Sequence, residues 1–390
     1  MKFIKRLSLE EKLIRAVLDC NIFKVSFLLG EGVNVNYKDK LGYTPLMYAV
    51  SNGFYFITKM LIEAGSNIEE TNERGFTALA LAKFNGNLEI YNVLKEENAN
   101  QSIIENLRFA NTTLEPGKKY SYVDIIQREI YCESDLAKKV VASVLKNIEE
   151  YKDFRTELIM TCIALYTLEK NETGNNLQIF VVHGIDSAFD KDKLGYLVGT
   201  YNVFKNIIQI SNFGGDFVVT KTFLHEFVHK IHLSCKDLKL KSLSDAYNEV
   251  IRSIEECPKN QGSDYIKNNL VNRVHVISNN HKAYKIPSQK LLEYLADSIS
   301  YTIIYKKYKD DVEMIKTMQY ILEPIYNVFD NEISNQLKEY ILGNKNFNML
   351  CVSDSIKKSL REYKNNKRKQ TDIIVEPTKE NNSPSINQML

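Results

Sequence analysis

The chain has 390 residues, 44% of them hydrophobic, with 51 basic residues against 49 acidic ones. That length and apolar content predict two or three globular domains and exclude a wholly disordered chain. A formal net charge of +2 excludes the strong positive field that draws proteins to nucleic acid or to anionic membranes, so partners must be read from local features.

The start, MKFIKRLSLEEKLIRAV, places charges inside what would have to be an apolar signal core, and no stretch holds 18 uninterrupted apolar residues. These features predict no cleaved signal and no membrane span. Six scattered cysteines with no C-x-x-C pair predict a reducing, cytoplasmic compartment, and export by a specialised system that reads other signals stays open.

From residue 10 to 100 the chain superposes on itself at a shift of 33. Leu13, Leu46 and Leu79 align, as do Ala16, Ala49 and Ala82, and GYTPLMYAVSNG (42–53) falls on GFTALALAKFNG (75–86). Thr44 suits a helix cap and Pro45 the first helical turn, while the alanines let paired helices approach. The pattern resembles the ankyrin repeat, with Met47 where that repeat usually carries histidine. The resemblance implies an N-terminal stack of three repeats over 8–100 and a protein partner on its surface.

Residues 101–118 lose the period and end at Pro116-Gly117, which predicts a linker. Beyond it, apolar spacing predicts helices over 121–131, 134–151 and 154–170, and again over 219–345. LQIFVV (177–182) and YNVFKNIIQI (201–210) predict strands. The second domain, 119–345, is therefore expected to be α+β and mostly helical, with a small sheet. The polar residues of 360–390 predict a disordered tail, preceded and entered by the basic cluster Lys357, Lys358, Arg361, Lys364, Lys367, Arg368 and Lys369.

FLHEFVHKIH (223–232) holds three of the six histidines. On a helix, Leu224, Phe227, Val228 and Ile231 form one apolar stripe, and His225, His229 and His232 share another. Imidazoles at i and i+4 can reach one metal ion together, and Glu226 is spaced to serve as a general base toward water. A catalytic zinc needs a third protein ligand. Cys235 is one candidate, and Glu293 in SQKLLEYLADSISY (288–301) is another, with Asp297 one turn on. His183 and His275 read as lone turn or core histidines. The chain has no G-x-x-x-x-G-K-[ST], G-x-G-x-x-G or G-x-S-x-G motif, so nucleotide-dependent and serine-hydrolase chemistry have no support.

HEFVH followed 64 residues after its second histidine by EYLAD resembles the gluzincin metallopeptidases, most of all the catalytic domain of anthrax lethal factor and its relatives. The resemblance implies a zincin-like fold with Zn2+ held by His225, His229 and Glu293. It implies Glu226 as catalytic base, Asp297 as acceptor for a ligand histidine, and a tyrosine that stabilises the oxyanion, for which Tyr284 is the nearest upstream candidate and His281 a further electrophile. The expected activity is hydrolysis of a protein substrate bound extended along YNVFKNIIQI. The expected setting is that of a bacterial effector in a host cell. The alternative is an ankyrin adaptor whose second domain is an inactive peptidase relative.

Overall fold

In a computed structural model the described residues are 7–150, 153–170, 174–182, 199–211, 215–234, 240–256, 292, 295–296, 299–300 and 323–375. The chain divides into two compact units: Met1–Thr113, Ile125–Lys146 and Tyr166–Glu226 form the first, and Leu114–Asp124, Asn147–Leu165 and Phe227–Leu390 the second.

The first unit opens with three helical hairpins: α1 (Leu9–Leu18) with α2 (Ile22–Gly30), α3 (Pro45–Ser51) with α4 (Tyr55–Glu63), and α5 (Ala78–Phe84) with α6 (Leu88–Glu96). The expected cap at Thr44 forms, its Oγ1 accepting from Met47 N, and Thr77 Oγ1 accepts from Ala80 N in the next repeat. Ser8, which stands where the first repeat lacks a Thr-Pro turn, makes a reciprocal capping box with Glu11. The turns repeat the same chemistry 33 residues apart: Asp39 Oδ1 accepts from the backbone of Leu41 and Tyr43, and Asn72 Oδ1 from that of Arg74 and Phe76. Neighbouring repeats are tied by Asn67 N donating to Asn36 Oδ1 and Asn100 N donating to Glu69 Oε1, both at 2.7 Å.

The predicted linker is not a free tether. Ser102–Leu107 forms a helix, α7, whose Ile104 is 3% exposed and belongs to the core of the repeats. Its backbone turns helical because an apolar side chain there gains more by covering the end of the stack than by hydration.

The sheet follows. Residues expected to extend a helix to 131 form instead α8 (Tyr122–Ile126), a 3-10 turn and strand β1 (Ile130–Cys132), where a β-branched and an aromatic residue are buried without interruption. Helices α9 (Asp135–Glu150) and α10 (Phe154–Thr167) lie at the expected places, and LQIFVV supplies β2 (Gln178–Val182). YNVFKNIIQI is not one strand. It spans a hairpin of β3 (Gly199–Asn202) and β4 (Ile207–Ser211). The chain reverses because Asn202 Oδ1 accepts from Lys205 N and Asn206 adopts a left-handed φ of 55°. Strand order is β1-β2-β4-β3, with β1, β2 and β4 parallel and β3 antiparallel at one edge.

Register aligns Tyr131, Phe180, Gln209 and Thr200 in one row across all four strands. That row faces the third repeat: Phe180 lies 4.6 Å from Phe84, centroid to centroid, and Gln209 Nε2 donates to Phe84 O at 3.0 Å. Tyr131, Phe180 and Ile207 accordingly join the apolar core of the repeats. Gly199, paired with Ile210, faces the other way, toward the first half of α11 (Gly215–Ser234). The sheet is thus a middle layer between the repeats and that helix.

In the second unit, α10 is capped by Asp153, whose Oδ1 accepts from Arg155 N and Thr156 N. Its further described elements include α12 (Leu240–Glu256), a π-helical turn at Phe329–Ile333, α13 (Ser334–Gly343) and α14 (Asp354–Val375). Arg155 makes a two-pronged contact with Asp330 at 2.9 and 2.5 Å, over the ring of Tyr326. α14 corrects the disordered tail expected from 360: Ile356 and Leu360 are buried on one face and Lys367 pairs with Glu339, so the basic run continues a docked helix. Residues 376–390 lie outside the described residues.

Candidate functional site

Helix α11 carries the HEFVH motif. Phe223, Leu224, Phe227, Val228 and Ile231 are all 2% exposed or less, which fixes the rotation of the helix about its axis. That rotation leaves His225 and His229 half-buried, one helical turn apart, and Glu226 5% exposed. The motif lies inside a 20-residue helix, with Val219 and Phe223 buried ahead of it and Ile231 buried after it.

Glu226 sits against the edge strand. A Cβ placed on Gly199 would come within 2.5 Å of Glu226 Oε1, 3.0 Å of its Cγ and 2.4 Å of Thr222 Cγ2. Only a residue without a side chain lets β3 pass this close to the carboxylate. Sequence reasoning missed Gly199; the signal was a glycine immediately ahead of the strand-forming TYN.

Two imidazoles at this spacing and half-burial suit two positions of a tetrahedral zinc shell, and a buried carboxylate between them suits a base rather than a solvated surface acid. Glu293, Asp297, Tyr284, His281 and Cys235 lie outside the described residues. Among the described residues no group of three His, Cys, Asp or Glu is gathered closely enough to hold a metal ion. His232 lies on α11, but its side chain is outside what the structure describes.

Other ionisable groups of the first unit are tuned by burial. The Cys132 thiol is pushed up to about 12, which makes it a poor nucleophile at neutral pH. Lys83, between the rings of Tyr91 and Tyr131 at 5.4 and 5.3 Å, is pushed down to about 8, with Glu129 opposing the shift. Lys205 is also lowered by burial. Its Nζ donates to Asn85 O at 2.5 Å and to Asn87 Oδ1 at 2.9 Å in the third repeat.

Comparison with known families matches residues 13–104 to ankyrin repeats in three copies. Residues 13–104 are ankyrin repeats. No curated protein matches the chain. The ankyrin repeats point to a protein partner, and no described helix is long and apolar enough to cross a membrane.

Proposed function

We propose that the protein is a zinc-dependent metalloendopeptidase whose ankyrin repeats bind a protein substrate or partner. The observation that carries the reading is the arrangement on α11: His225 and His229 share one face, and the buried carboxylate of Glu226 rests against Gly199 at the sheet edge. His225 and His229, with Glu293 by the resemblance to the lethal-factor group, would hold the ion. A bound zinc would supply Lewis acidity and bring the pKa of its water to about 7.

The chain's own groups do the rest. Glu226 accepts a proton from the attacking water on its carboxylate and passes it to the leaving amine. Strand β3, an edge among the described strands, offers its outer N–H and C=O groups to an extended peptide, which would align the scissile bond beside Glu226. Tyr284 or His281 would donate to the developing oxyanion, and Asp297 would orient a ligand histidine. Repeats joined to a peptidase raise the local concentration of a chosen protein near the cleft. A bacterial effector acting in a host cytosol is the setting the resemblance implies.

The test is cleavage of a mixed peptide library by the full chain, read by mass spectrometry, with Glu226→Gln as control. Cleavage by wild type that is lost in Glu226→Gln supports the reading. No cleavage by a zinc-loaded wild type leaves the ankyrin adaptor with an inactive second domain.

A further inference from the structure

The third repeat and the edge hairpin are joined more closely than a recruitment module requires. At the hairpin tip, Lys205 reaches Asn85 O and Asn87 Oδ1. Two pairs beyond the first pair of the ladder, Gln209 Nε2 donates to Phe84 O. Asn87 in turn donates from Nδ2 to Val50 O at 2.7 Å, so the residue that receives Lys205 also ties the third repeat to the second. Gly86 closes the contact: a Cβ there would lie 2.2 Å from Ile207 Cδ1, so the turn of the repeat presses on the strand itself.

The other end of this hairpin is Gly199, against Glu226. Antiparallel pairing from Asn202↔Ile207 to Gly199↔Ile210 spans three steps, or about 10 Å at the rise of a strand. Every residue from Gly199 to Asn202 is paired along it. A displacement at Lys205 therefore reaches Gly199 without an intervening loop to absorb it.

We propose that the third ankyrin repeat is a clamp that sets the position of the β3–β4 hairpin, with Lys205 as its positioning residue, so that binding to the repeats and the placement of the edge strand are coupled. The clamp itself stands on the contacts above; its effect on catalysis rests on the reading of Glu226 as the base. The repeats then do more than concentrate substrate, because a partner that shifts Asn85–Asn87 shifts the strand along which substrate would pair.

The experiment is hydrogen exchange of the full chain, wild type beside Lys205→Ala, Lys205→Arg and Gln209→Ala, with cleavage kinetics on the same preparations. In Lys205→Ala, peptides covering 199–211 should exchange about tenfold faster, as expected when hydrogen bonds from a cation are lost. Exchange in α1–α4 should be unchanged, and Lys205→Arg should restore most of the protection. Gln209→Ala should show a smaller effect in the same peptides. Unchanged exchange at 199–211 in both alanine variants would overturn the clamp. In a cleaving wild type, Lys205→Ala should lower kcat about tenfold with zinc content retained. An inactive wild type would sink the peptidase reading, while the exchange result would still decide the clamp.

Discussion

Replacing Gly86 by alanine tests whether the repeats and the sheet form one packed body. Gly86 has φ +62°, and its added Cβ would stand 2.2 Å from Ile207 Cδ1, 3.0 Å from Lys205 Cδ and 3.1 Å from Lys205 Cβ. The left-handed backbone alone costs an L-residue about 1–2 kcal/mol. The crowding adds about 1–3 kcal/mol, because Ile207 is 3% exposed and can swing only into a filled core. Gly65→Ala is the matched control: its φ is +87° and nothing lies within 4 Å of the added carbon, so it carries the backbone cost alone. Urea unfolding followed by circular dichroism should therefore show Gly86→Ala less stable than Gly65→Ala by about 1–3 kcal/mol. Equal losses, within about 0.5 kcal/mol, would refute the reasoning and return the repeats to the status of a loosely attached module.

Lys83→Met should raise the urea midpoint at pH 7, corresponding to about 1–2 kcal/mol, since it removes a buried ammonium and keeps the packing of its stem. The folded pKa of Lys83, about 8, lies below its ordinary value of 10.5, so the burial cost is full below pH 8. Wild-type stability should recover as pH rises from 8 to 10.5, where the unfolded chain binds the proton more tightly, and the advantage of Lys83→Met should shrink over that window. A constant advantage from pH 7 to 10 would contradict the assignment. Ile104→Ala should cost about 2–4 kcal/mol in the same unfolding assay, as a cavity at the end of the stack, whereas a true linker residue would show less than about 0.5 kcal/mol.

The repeats were legible because a period places the same residue types in the same environments, so Leu13, Leu46 and Leu79 are all 1% exposed or less. α11 was legible for a related reason: its apolar stripe and its histidines have different phases on one helix. The hairpin within YNVFKNIIQI was not, because its reversal uses Asn206 in a left-handed conformation rather than a glycine, and six β-branched or aromatic residues among the ten conceal the turn. β1 is three residues long, too short for any alternation to show. α7 was read as linker because its helicity comes from the burial of Ile104 against the stack, which no local pattern records. Gly199 carries meaning only beside Glu226, 27 positions later in the chain, and a contact of that kind is set by tertiary packing.

The central claim is a zinc site built on α11, and metal content per chain tests it most directly. Wild type, His229→Ala, Glu293→Ala and Glu226→Gln would be purified without chelator and measured by inductively coupled plasma mass spectrometry. The account predicts about one zinc per chain in wild type and in Glu226→Gln, and loss from the two ligand variants, as three protein ligands require. No zinc in wild type, or zinc retained in either His229→Ala or Glu293→Ala, would contradict it.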